Sequence, residues 1–495
     1  MKKLKTYLIS CLVINLLLTF STTFFDSEIC YTCDAITLFL IFVLHIILII
    51  STLSNNRLIF LLVLILFVFY TSRIPVIQFL PESYGYPEIS LTPDDMRESI
   101  FVLLLISFGL LLGCLASYRI GGIRKYLLPF RVFPFEKKIN NLKSFYYLVI
   151  IFFIITTVIR LILIFKTGVG LPISVEFFSP ISRRVLKAAS FFTFLGISPF
   201  IWFVIKRPTG IERRLTIFAI MLYLLSVAVT LSKAGIISGI LPLFLFYYIT
   251  GQRIPSRIWF YMKIVLFTAL PFFVVTQSLR TMVSVLYTDK VSINIFDAVS
   301  NISISSLLLN PLSRIWSSFD VLTAVIKTRA NFLPFLNFYD ELLDIVNGYI
   351  PGGVFETNAP QFTQLLHTIL HGTSYDYMLL TRTGENITIP GYLYVYWGTL
   401  GAAAVSFILM LFLGLVFRYT NSLFLKVIVC QLIIGEITNG SGIFGPFVSI
   451  FMSFAVMYFF IILYKMLNMY SRFLDKTRAM DGGSSSAVVP KNWTI

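Results

Sequence analysis

Long apolar runs separated by short polar breaks make up most of the chain, and the pattern is interrupted once. Runs at roughly 7–25, 35–53, 58–72, 100–117, 144–165, 189–205, 215–231, 235–250 and 259–277 precede a long polar stretch, and runs at 392–416, 423–440 and 443–464 follow it. About 20 helical residues cross the hydrocarbon core of a bilayer, so the pattern predicts about twelve transmembrane helices. The third and seventh runs are the shortest, and their boundaries are soft. The expected fold is an all-α polytopic integral membrane protein with a large extracytoplasmic helical loop between helices 9 and 10. Its parts are helices 1–9 with short loops over 1–277, the loop over 278–391, helices 10–12 over 392–464 and a cytoplasmic tail over 465–495.

Inside the polar stretch the period changes to that of short amphipathic helices. Asn310-Pro311 is a start signal, followed by Leu312, Ile315, Trp316, Phe319, Leu322, Val325 and Ile326 at helical spacing, with Arg314 in the first turn off the stripe. A second helix is expected from Phe335 to Asn347, closed by Gly348 and carrying Asp340, Glu341 and Asp344. The third is bounded by Pro360 and Gly372. Its stripe is Phe362, Leu365, Leu366, Ile369 and Leu370, while His367, Thr368 and His371 share the opposite face.

Composition agrees: 57% of the 495 residues are hydrophobic and 13% charged, which excludes a soluble core. Charge then orients the helices. With the start Met1-Lys2-Lys3 inside, most of the 39 basic residues fall on inside segments, against only Glu136, Glu212, Asp475 and Asp481. This matches retention of Lys and Arg on the cytoplasmic side and puts both termini there. The net charge of +16 is therefore an inside-surface property directed at anionic lipid and not at nucleic acid. Asp26-Ser27-Glu28 is a poor cleavage site, so 7–25 reads as an uncleaved first helix.

Some residues break these rules. Lys166, Arg183, Arg184 and Lys187 lie in an outside loop against the charge bias, with Arg160 below them; they fit lipid phosphates or interface snorkelling. His45 lies within a span, where it reads as a neutral imidazole bonded to a neighbouring helix or as a functional group. The outside loop 73–99 holds Pro75, Pro81, Pro87 and Pro93, which resist regular structure, and Thr92-Pro93-Asp94 predicts a helix cap. Cys11, Cys114 and Cys430 read as small core residues, whereas Cys30-x-x-Cys33 can close in an oxidising compartment. Tyr392, Tyr394, Tyr396 and Trp397 predict an interfacial belt, with Gly398 and Gly401 permitting close helix contact.

The chain contains no nucleotide-binding loop, no serine elbow and no H-E-x-x-H. His367 and His371 have zinc spacing but lack the glutamate, so no metal and no cofactor is expected. Outward cations together with outward His and Glu suit a lipid substrate with a diphosphate head. Cations neutralise the leaving diphosphate, and His or carboxylate takes the proton of an attacking hydroxyl.

The plan resembles the bacterial O-antigen (Wzy-type) polymerases and the related O-antigen ligases. The likeness is carried by the twelve-helix layout, Arg183-Arg184 before the sixth helix, the hairpin Thr230-Leu-Ser-Lys-Ala-Gly235, the long loop before the tenth helix, and Gly391, Gly398 and Gly401. The resemblance implies a metal- and nucleotide-independent glycosyltransferase of the bacterial inner membrane. Such an enzyme joins undecaprenyl-diphosphate-linked oligosaccharide repeat units into lipopolysaccharide O-antigen or a related surface polysaccharide, with membrane lipid and a chain-length regulator protein as partners. Carried over by position, Arg183, Arg184, Lys187, Arg280 and Arg314 would hold diphosphates, and His371, His367 or Glu356 would be the base. Ligase, polyprenyl-phosphate-dependent glycosyltransferase and lipid-linked oligosaccharide flippase are the alternatives. A flippase would show repeats and charged spans; the sequence shows no repeat, and charges within the spans are nearly absent.

Overall fold

The computed structural model describes residues 2–22, 31–32, 34–79, 84, 86, 88–120, 143–167, 209–229, 233–256, 317–337, 362–372, 388–420 and 423–439. It also describes isolated positions at 259–260, 263, 339–340, 342–343, 450, 462–463, 466, 469–470 and 473. Among these residues there are many helices and no strand, with one isolated antiparallel bridge between Tyr86 and Ile89.

Helices α1 (Lys2–Thr22), α2 (Ala35–Leu53) and α3 (Arg57–Leu66) follow in order, and α3 continues through a π-helical turn, Phe67–Thr71, into α4 (Arg73–Phe79). Then come α5 (Pro93–Arg119), α6 (Lys143–Thr167), α7 (Gly210–Val229), α8 (Lys233–Thr250), α9 over 317–327, α10 (Phe362–His371), α11 (Ile389–Tyr419) and α12 (Leu423–Asn439). Five helical stretches, 3–21, 35–53, 57–79, 93–119 and 389–419, are long and apolar enough to cross a membrane. The expected spans at 144–165, 215–231, 235–250 and 423–440 are helical close to their expected bounds. The span at 189–205 and most of 259–277 and 443–464 lie outside the described residues.

The third span is longer than its apolar run. Pro75 falls in the first turn of α4, where its missing N–H is not needed, so helix persists to Phe79 where proline density argued for loop. At the start of α5, Thr92 caps as expected. Its side chain accepts from the Asp95 N–H, Asp95 reciprocates to the Thr92 N–H at 2.8 Å, and Pro93 stands at the first helical position.

The helices are apolar outside and more polar inside. α2 exposes Ile36, Phe39, Phe42, Ile50 and Leu53 while burying Thr37, His45 and Thr52 with Ile41, Leu44 and Leu48. That pattern belongs in lipid, where the outward face needs no polar group. His45 is a fully occupied core residue: Nδ1 lies 2.9 Å from Ile41 O and Nε2 pairs with the Asn15 side chain of α1 at 2.8 Å. Cys114 and Cys430 are buried, as expected; Cys11 instead lies on the exposed face of α1.

The closest pairing is α5 with α11. A Cβ added at Gly109 would lie 2.4 Å from Ala403 O, and one at Gly113 would lie 2.3 Å from Phe407 O. A Cβ at Gly414 would lie 2.3 Å from Ser117 Oγ, so small residues at 109, 113 and 117 bring one backbone onto the other. Close contact had been expected at Gly398 and Gly401. Gly398 instead takes φ 64° and breaks α11, and a Cβ at Gly401 would meet Trp397 of its own helix at 2.4 Å.

Hydrogen bonds fix which helix ends lie together. Lys5 Nζ donates to Leu53 O at 3.2 Å and Ser54 O at 2.5 Å, closing α2. Arg57 donates to Tyr248 O at 3.2 Å and to Ile249 O, closing α8. Arg418 donates to Ser117 O at 2.9 Å and to Tyr118 O, closing α5. The start of α1 and the ends of α2, α5, α8 and α11 therefore share one end of the bundle, here called basal. This is the relative sidedness that the charge pattern predicts for these helices.

Candidate functional site

The opposite, apical end gathers most of the described ion pairs, and the segment 84–95 organises them. Burial, and the nearby Asp320 carboxylate, push the Tyr84 phenol well above its ordinary value. Tyr31 meets Tyr84 edge-on at 5.1 Å, and its N–H donates to Gln78 Oε1 at 2.9 Å. Lys327 Nζ donates to Ser90 O at 2.6 Å and to Asp95 Oδ2 at 2.8 Å. The same carboxylate thus serves the α5 cap and anchors the end of α9.

α9 is deeper in the protein than an amphipathic helix on a membrane surface. Its expected stripe residues Phe319, Leu322, Val325 and Ile326 are buried, and so are Val321, Thr323 and Ala324. Asp320 on this helix receives a two-point contact from Arg73, Nε to Oδ1 at 3.0 Å and a terminal nitrogen to Oδ2 at 2.9 Å. Arg73 is only 4% exposed, so the pair is an internal lock between α4 and α9. After Thr328 the chain makes one further turn, Arg329–Phe332, and a short 3-10 stretch, Leu333–Phe335. The second loop helix begins later than expected: Leu336 and Asn337 are not helical, and Asn337 accepts from the Tyr339 N–H at 3.1 Å.

The third loop helix is α10, and its apolar face is as the periodicity requires. Leu365, Leu366 and Leu370 are buried in the main core, and Ile369 packs against it. Gly372 ends the helix at φ 62°. His367 and His371 are half-buried, with ring centroids 4.3 Å apart. The edge-on ring of Tyr86 lies 5.7 Å from His371. The Glu88 N–H donates to Leu370 O at 3.4 Å, and the Glu88 carboxyl is 3.0 Å from where a Cβ on Gly372 would stand. Two segments far apart in sequence thus assemble imidazole, phenol and carboxylate at one place.

Of the residues singled out in the sequence, His367 and His371 are brought together here. Arg183, Arg184, Lys187, Arg280, Arg314 and Glu356 lie outside the described residues, as do Cys30 and Cys33. Sequence reasoning missed Arg73, Asp320, Tyr86, Glu88, Lys327 and Arg329. A signal existed for the cations, because Arg73, Lys327 and Arg329 stand on predicted outside segments against the charge bias, like Arg183 and Arg184. Among the described residues, no group of three or more His, Cys, Asp or Glu is arranged to hold a metal ion.

The belt residues of α11 also differ from expectation. Tyr392 and Tyr394 are buried within the protein, and Tyr394 donates to Glu98 Oε1 at 3.0 Å. Arg329 stacks over the Tyr394 ring at 5.5 Å and donates from Nε to Val395 O at 3.2 Å. The Gly398 break removes the regular helical partners around this carbonyl, and Arg329 takes the place of one.

The architecture defines an all-α membrane protein with a polar apical end. Comparison with protein-family models, curated proteins and solved structures finds no match to the chain.

Proposed function

We propose that the protein is a polymerase of lipid-linked oligosaccharides. In this reading it joins undecaprenyl-diphosphate-linked repeat units into O-antigen or a related surface polysaccharide, with the apical end facing away from the cytoplasm across the bacterial inner membrane. The observation that carries the proposal is the close pair His367 and His371, held beside Tyr86 and Glu88 at the end of an apolar bundle. A proton acceptor placed there meets a substrate whose lipid lies in the bilayer and whose sugars lie in water.

The reaction needs few parts. A hydroxyl of the acceptor repeat unit attacks the anomeric carbon of the donor chain. The new carbon–oxygen bond forms as the bond to the diphosphate breaks, a histidine takes the hydroxyl proton, and undecaprenyl diphosphate leaves with the electron pair. Arg183, Arg184, Lys187, Arg280 and Arg314 remain the proposed counter-ions, as does a role for Glu356. Ligation of the finished glycan to another acceptor would use the same groups, so an O-antigen ligase is the second reading.

The test is the surface-glycan ladder of cells carrying His367→Ala, His371→Ala or both, at matched membrane abundance. Single repeat units in place of long chains are expected. Unchanged chain length in the double variant would overturn the histidine assignment, and accumulation of unligated long chains would favour the ligase.

A further inference from the structure

One guanidinium is held differently from the others. Arg57 and Arg418 donate to backbone carbonyls through a terminal nitrogen, Arg73 places one on Asp320, and Arg97 directs its two at Asp34 and Asp94. Arg329 is held through Nε, on Val395 O, and through its face, on the Tyr394 ring. Among the described residues, neither of its terminal nitrogens has a hydrogen-bond or ion-pair partner. The side chain is half-buried, so that edge is fixed in direction yet open. Its platform is fixed too, because Glu98 holds the Tyr394 hydroxyl.

Pinning Nε and the ring face leaves the two terminal nitrogens as a pre-oriented fork, which matches two oxygens of one oxyanion. Depth selects the oxyanion. α11 breaks at Gly398, and the part after the break, 399–419, is about 31 Å long, enough to cross a hydrocarbon core of about 30 Å. Its first two turns, where Tyr394 and Val395 sit, therefore lie at headgroup level. Of the other described cations toward the apical end, Arg73, Arg97 and Lys327 face carboxylates within 4 Å; Arg329, like Arg160 of α6, has no carboxylate partner among the described residues.

We propose that Arg329, braced by Val395 O and Tyr394 at the Gly398 break, binds the phosphate of a membrane lipid. The site does not depend on the polymerase reading; only the choice between a polyprenyl diphosphate and a bilayer phospholipid rests on it.

The full chain, purified in a phosphate-free maltoside detergent, would be mixed separately with undecaprenyl diphosphate and with phosphatidylglycerol, and lipid retention read by native mass spectrometry. Arg329→Gln is expected to weaken retention by about tenfold or more, the loss typical of a charged hydrogen bond, while Lys327→Gln leaves it unchanged. Millimolar inorganic diphosphate should displace the lipid from the unsubstituted protein, a result that holds even if the Arg329 variant does not fold. Preference for undecaprenyl diphosphate places the site on the substrate path. Equal retention of the two lipids supports the phosphate site and assigns it to bilayer lipid. Equal loss in both variants, no loss in Arg329→Gln, or no displacement by diphosphate would overturn the proposal. The glycan ladder of the histidine variants is read independently, so failure of one idea leaves the other standing.

Discussion

At the basal end, Lys5, Arg57 and Arg418 each close the C-terminus of a neighbouring helix by donating to backbone carbonyls. At the apical end, Arg73, Arg97 and Lys327 face carboxylates, Lys327 also donating to Ser90 O, whereas Arg329 takes a carbonyl and has no carboxylate partner among the described residues. A carbonyl cap complements the helix dipole and leaves the cation's full charge in place. A carboxylate cancels it. Among the described residues, the basal cations therefore keep their charge, which suits anionic lipid, whereas the apical ion pairs are compensated, so that the Arg329 guanidinium and two imidazoles stand out.

The deepest of these pairs gives the largest expected effect. Asp320→Ala leaves the 4%-exposed Arg73 without its anion, which should cost about 3–5 kcal/mol. Thermal unfolding in detergent would show it, and Arg73→Met in the same chain should recover much of the loss. If Asp320→Ala unfolds like the parent, the apical end is not held by the lock between α4 and α9.

Between the two ends, α5 and α11 meet through backbone alone. Gly113→Leu would drive a side chain into Phe407 O, 2.3 Å from where its Cβ would start, at a cost of about 1–3 kcal/mol or more. Its readout is again the unfolding temperature. Gly398→Ala should cost about 1–3 kcal/mol, from forcing a side chain to φ 64°, ψ −167°, a region essentially confined to glycine. The added methyl would stand 3.7 Å from a terminal nitrogen of Arg329, which is ordinary contact, so the loss comes from the backbone.

Much of this arrangement was legible in the sequence where local physics decides it. The Thr92 cap, the apolar face of α10 with its Gly372 stop, and the bounds of α2 each follow from a few adjacent residues. The π turn at Phe67–Thr71 and the extension to Phe79 were hidden because Pro75 reads as a breaker until its place in a first turn is known. The apical site was legible by halves. Periodicity put His367 and His371 on one face, but their neighbours Tyr86 and Glu88 come from a segment far away in sequence. Asp320 carries no signal of its own in the sequence, and its partner Arg73 stands 247 positions earlier; that contact and the burial of Val321, Thr323 and Ala324 identify α9 as internal.

The smallest expected effect tests whether all apical carboxylate pairs are alike. Lys327 and Asp95 are 2.8 Å apart, closer than the Arg73–Asp320 contact, yet their side chains are 31% and 18% exposed. Distance alone would rank this pair first. Solvent reverses the order, because water already stabilises both charges when they are apart and salt screens their attraction. Lys327→Gln should therefore cost under about 1 kcal/mol, a shift in unfolding temperature that shrinks as ionic strength rises. Asp95 keeps both Thr92 contacts in that variant, so the α5 cap survives. A loss as large as that of Asp320→Ala would mean that Lys327 anchors α9 as firmly as Arg73 does, and that the open and closed parts of the apical end are a single cooperative unit.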